Sequence, residues 1–78
     1  MSHSNMVVGR LIGEIEGQLA EAHTIAKSAN TCAVNGRVDR ALTISLGIEE
    51  LIRAADNLLQ AAVTLNRSNK ERSEDTAG

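Results

Sequence analysis

Residues 29–41 read ANTCAVNGRVDRA, an alanine-rich stretch that runs into Asn35-Gly36 and becomes periodic again at Ala41. Asn-Gly is a natural stop for a helix, because glycine takes up the positive φ that ends it without a Cβ clash. Asp39 follows where its carboxylate can cap a second helix. The segment predicts a turn over residues 35–39 between a first helix of about 6–34 and a second of about 40–67.

Toward the N-terminus, Val8, Ile12, Ile15, Leu19, Ala22, Ala26, Ala29 and Ala33 recur at alternating intervals of four and three. That spacing draws one apolar stripe along a helix. Toward the C-terminus, Ala41, Ile44, Ile48, Leu51, Ala55, Leu58, Ala62 and Leu65 do the same. An antiparallel fold at Gly36 then sets opposite one another positions whose numbers sum to roughly 74, as in a helical hairpin. Ala33 should meet Ala41, Ala26 should meet Ile48, Ala22 should meet Leu51 or Ile52, Leu19 should meet Ala55, and Ile12 should meet Ala62. Large faces small along most of this pairing, as a close-packed seam requires.

The period is lost after Arg67, and 68–78, SNKERSEDTAG, reads as a disordered tail. Residues 1–5 read as a frayed start, with Ser4 or Asn5 the first cap.

The chain has 78 residues, no Phe, Trp, Tyr or Pro, and 42% hydrophobic residues. Its apolar side chains are therefore nearly all Leu, Ile, Val and Ala, those of packed helices, and aromatic stacking on bases or cations is excluded. A lone hairpin of this size covers one side of each helix only, and Leu11, Ile25, Ile52 and Leu59 are left beside the stripes. We expect these four to form a second interface, so that two copies associate as a symmetric four-helix bundle. The fold class is all-α, an antiparallel two-helix hairpin that dimerises.

Several function classes are disfavoured by the residues themselves. Arg10, Glu14 and Glu16 interrupt the N-terminal apolar residues, so neither a signal peptide nor a membrane span of ~20 apolar residues is expected. A single cysteine, Cys32, cannot staple the monomer, and a cytoplasmic protein with a reduced thiol is the expectation. The acids Glu14, Glu16, Glu21, Glu49, Glu50 and Asp56 lack the Glu-x-x-His pattern of bundle metal sites, and His23 has no ligand at metal spacing. Glu49 and Arg53 instead form an i,i+4 pair. No cofactor and no catalysis are expected.

Two features suit recognition. Gly9, Gly13 and Gly17 lie four apart within the first helix, where each costs ~1 kcal/mol relative to alanine unless another backbone approaches closely. Near the turn, Leu42 and Leu46 stand one helical turn apart beside Arg37 and Arg40, an apolar pair rimmed by arginine. A protein partner, bound through a helix face or the hairpin tip, is the leading expectation, with the chain acting as an inhibitor, anti-activator or adaptor.

In size and hairpin topology the chain resembles the Rop family of plasmid copy-control proteins, which dimerise as four-helix bundles. That resemblance implies RNA binding on a polar face. The net charge of -2 and the acidic first helix speak against a nucleic-acid footprint. A third possibility is a pocket between subunits for a metabolite or nucleotide, with Arg10, Arg37 and Arg40 meeting phosphate.

Overall fold

The computed structural model describes the backbone of residues 3–77 and the side chains of residues 5–71. The chain reverses at Gly36, which has a φ of 83°. Helix α1, His3–Val34, ends there in two bonds that close a Schellman motif. Arg37 N–H donates to the Cys32 carbonyl at 2.8 Å, and Gly36 N–H donates to that of Ala33 at 3.0 Å. Helix α2, Val38–Ala77, begins at once, its first carbonyl acceptor being Arg37, bonded by Ala41 N–H at 3.0 Å.

Asp39 is thus not the cap expected from the sequence. It lies inside the first turn of α2, where its charge meets the positive end of the helix dipole. The turn is accordingly shorter, residues 35–37. At the N-terminus α1 already includes residues 3–5 of the stretch read as a frayed start, so Ser4 and Asn5 lie within the helix, and residues 1 and 2 lie outside the described ones.

The largest difference from the sequence reading is at the other end. The backbone of α2 continues helical through 68–77, the segment read as a disordered tail. Those residues hold neither proline nor glycine, and they include good helix formers such as Lys70, Glu71 and Arg72. Asn69 also falls four residues beyond Leu65 and is half-buried, so the inward stripe runs on into this stretch.

The two helices pack side by side as a rod of 63 × 17 × 13 Å. Its Cα radius of gyration is 18.2 Å, against the roughly 11–12 Å of a compact domain of this length. No layer covers the pair from above or below. Among the described residues the buried ones are Ala22, Ala29, Ala41, Ala55 and Ala62, and no large side chain is fully buried. Alanine rows let the helices approach closely but remove little apolar area from water.

Helix α2 turns inward the stripe read from the sequence: Ala41, Ile44, Ile48, Leu51, Ala55, Leu58, Ala62 and Leu65 are all buried or half-buried. Helix α1 is rotated by one position at every second step. Its inward residues are Val8, Leu11, Ile15, Gln18, Ala22, Ile25, Ala29 and Cys32. Leu11 and Ile25 therefore lie in the seam of the hairpin itself, and Ile12, Leu19, Ala26 and Ala33 lie outside it. Ile25 and Gly47, which meet across the seam, have numbers that sum to 72.

Ile25 approaches α2 at Gly47. A Cβ built on Gly47 would stand 3.8 Å from Cδ1 of Ile25, ordinary van der Waals contact.

Candidate interaction surface

Rotation of α1 sorts the remaining residues onto two unlike sides of the rod. One side carries Ile12, Leu19, Ala26 and Ala33 from α1 beside Val38, Ser45, Ile52 and Leu59 from α2, with no charge among them. Ile12 is 56% exposed, Leu19 50%, Ile52 55% and Leu59 48%. On the opposite side the corresponding row of α1 holds half-buried Val7 and then Glu14, Glu21 and Ser28, and that of α2 holds Arg40, Gly47, Ala54 and Ala61. Of these two sides, the first presents large exposed apolar groups along its length.

That apolar side is uneven. Near the turn it sinks into a groove of about 310 Å³, walled by Ala26, Ala29, Asn30 and Ala33 of α1 and by Val38, Ala41, Leu42, Ser45 and Ile48 of α2. Farther from the turn the same rows rise into Leu19, Ile52, Ile12 and Leu59. Ser45 places a hydroxyl in the groove, but it donates to the Ala41 carbonyl one turn back at 2.7 Å. The hydroxyl is thereby satisfied within its own helix and does not oppose apolar contact.

Of the residues singled out in the sequence, Ile52 and Leu59 stand on this side, whereas Leu11 and Ile25 are held in the seam. Their places on the open side are taken by Ile12 and Leu19, which a stripe of even spacing had assigned inward. Leu42 and Leu46 are separated by function of position: Leu42 forms part of the groove wall, and Leu46 does not line it. Leu46 is 68% exposed and Val34 77%, each on the outward face of its own helix, and exposed Arg37 and Arg40 flank the turn. Val34 was missed because it precedes the helix stop and belongs to no stripe.

Gly9, Gly13 and Gly17 are exposed, and a Cβ on any of them would meet nothing within 4 Å. The glycines do not serve the packing of α1 on α2. They leave a bare strip of backbone on the outer face of α1.

Charged and reactive groups are dispersed. Arg53 donates to Glu49 at 3.2 Å, the expected i,i+4 pair, with both side chains about two-thirds exposed and so of little energetic weight. His23 is exposed, and Cys32 is a free, half-buried thiol in the seam. No group of three His, Cys, Asp or Glu that could hold a metal ion occurs among the described residues. Nor, among them, is any helix long and apolar enough to cross a membrane.

No family model, no curated protein and no solved structure matches the chain. The functional reading rests on its surface chemistry.

Proposed function

We propose that this chain is a non-enzymatic interaction protein, a cytoplasmic helical hairpin that pairs with a second copy as a four-helix bundle and binds a partner protein as inhibitor, anti-activator or adaptor. One observation carries this reading: the apolar side of the rod exposes Ile12, Leu19, Ile52 and Leu59 together, while among the described residues only alanines are buried between the helices. A hairpin with so little of its own apolar surface covered gains most from contact with other chains. With that side occupied, the tip remains as a surface for a different protein. There Arg37 and Arg40 supply hydrogen-bond donors suited to an acidic rim, and Val34 and Leu46 offer apolar contact on the outward faces of α1 and α2.

Capture of tagged full-length protein from host lysate, with and without nuclease, tests the reading. The expected result is a nuclease-resistant protein in stoichiometric amount, retained by Glu50→Gln and lost with Leu46→Glu. Recovery of nuclease-sensitive RNA alone, with affinity falling steeply as salt rises, would overturn it.

A further inference from the structure

We infer that the apolar side is covered by a second copy of this chain lying with its hairpin tip at the opposite end of the rod, so that the groove of each copy receives Leu19 and Ile52 of the other. This rests on the interaction-protein reading and specifies its first partner.

The exposed area leaves room for a partner of this size. The hairpin exposes 5981 Å², whereas a compact monomer of its mass exposes about 4600 Å². The excess is roughly 1400 Å², part of it the overhang of α2 beyond the start of α1, against the ~800 Å² that each partner contributes to a stable interface.

Shape selects the second copy and its direction. Along α1 the apolar side runs Ile12, Leu19, Ala26, Ala33, large at the open end and small at the tip. Along α2 it runs Val38, Ser45, Ile52, Leu59, again small near the tip and large away from it. A two-fold axis across the rod, near the levels of residues 23 and 49, sets α1 on α1 and α2 on α2 in antiparallel order. Leu19 of one copy then comes to about the level of Ala26 in the other, Ile12 to that of Ala33, Ile52 to that of Ser45, and Leu59 to that of Val38. Every large residue faces a smaller one, and the same patch serves both copies, as an isologous interface demands.

With tips at the same end, Ile12 would face Leu59 and Leu19 would face Ile52. Large would press on large at one end and the groove would stay empty at the other, which close packing disfavours. Neither row carries a charge, so no like-charge contact opposes either arrangement within these rows.

The experiment uses the full chain with Cys32→Ser and Asn35→Cys, spin-labelled at residue 35. Sedimentation at micromolar concentration gives the mass, and dipolar spectroscopy gives the distance between labels. A dimer with labels about 40 Å apart, from ~13 residues of helix on either side of the axis, is expected. A dimer with labels about 20 Å apart or closer overturns the arrangement and leaves self-association standing. A monomer overturns both and gives the apolar side to a different protein. In addition, Ala26→Leu, an exposed position whose change leaves the hairpin seam alone, should weaken the dimer at least about tenfold by filling the groove. An unchanged dissociation constant overturns the inference.

Discussion

Ile25 and Gly47 lie across the seam from one another, with Cδ1 of Ile25 3.8 Å from the point where a Cβ of Gly47 would be. That is ordinary van der Waals contact, so one methyl fits. Gly47→Ala should stabilise the protein by up to ~1 kcal/mol through helix propensity, raising the thermal midpoint by about 4–8 °C. A drop in the midpoint would mean that the helices approach more closely here than the contact distance implies.

The rotation of α1 separates two isoleucines that sequence spacing alone treats in the reverse way. Ile25→Ala should cost about 1–2 kcal/mol of hairpin stability, less than a fully buried isoleucine, because Ile25 is only half-buried. Ile12→Glu should leave helicity at high protein concentration close to that of the parent and weaken self-association by at least about tenfold, since it puts a charge into an apolar contact. Circular dichroism and sedimentation of the two variants, run together, distinguish seam from outer surface.

Among the described residues Gly36 is the one glycine whose backbone demands glycine, with φ at 83°. Gly36→Ala should destabilise by about 1 kcal/mol, the cost of a Cβ in the left-handed region. Gly13→Ala should do the opposite, raising the thermal midpoint without changing the mass of the assembly, because its Cβ would meet nothing. Loss of self-association in Gly13→Ala would show that the bare strip of α1 lies in the interface between copies.

Asn69 continues the inward row of α2, and its amide nitrogen is buried without a hydrogen-bond partner among the described residues. Asn69→Leu should therefore stabilise the open end of the rod by about 1 kcal/mol, replacing an unsatisfied donor by apolar contact. Amide hydrogen exchange of residues 62–70, slower in the variant, is the readout.

Much of the architecture was legible because it follows from local chemistry. Asn35-Gly36 located the reversal, since a left-handed stop is a backbone property that needs no tertiary partner. The inward row of α2 was legible for a similar reason: Ile44, Ile48, Leu51, Leu58 and Leu65 are large and regularly spaced, and the adjoining row matches them in size only at Ile52 and Leu59. The end of α2 was not, because loss of apolar period removes the signal for packing while leaving helix propensity in place.

In α1 two rows of equal spacing share Val8, Ile15, Ala22 and Ala29, and the intervening residues are either Ile12, Leu19, Ala26 and Ala33 or Leu11, Gln18, Ile25 and Cys32. By hydrophobicity the first row is the better stripe, for it contains no glutamine. Only tertiary structure decided for the second. In that row Ile25 reaches α2 at Gly47, within van der Waals contact of where a Cβ would stand. The sequence by itself determined that this chain is two helices joined at Gly36. Which apolar residues were left outside, and hence which surface is open to contact, depended on packing between residues more than twenty positions apart.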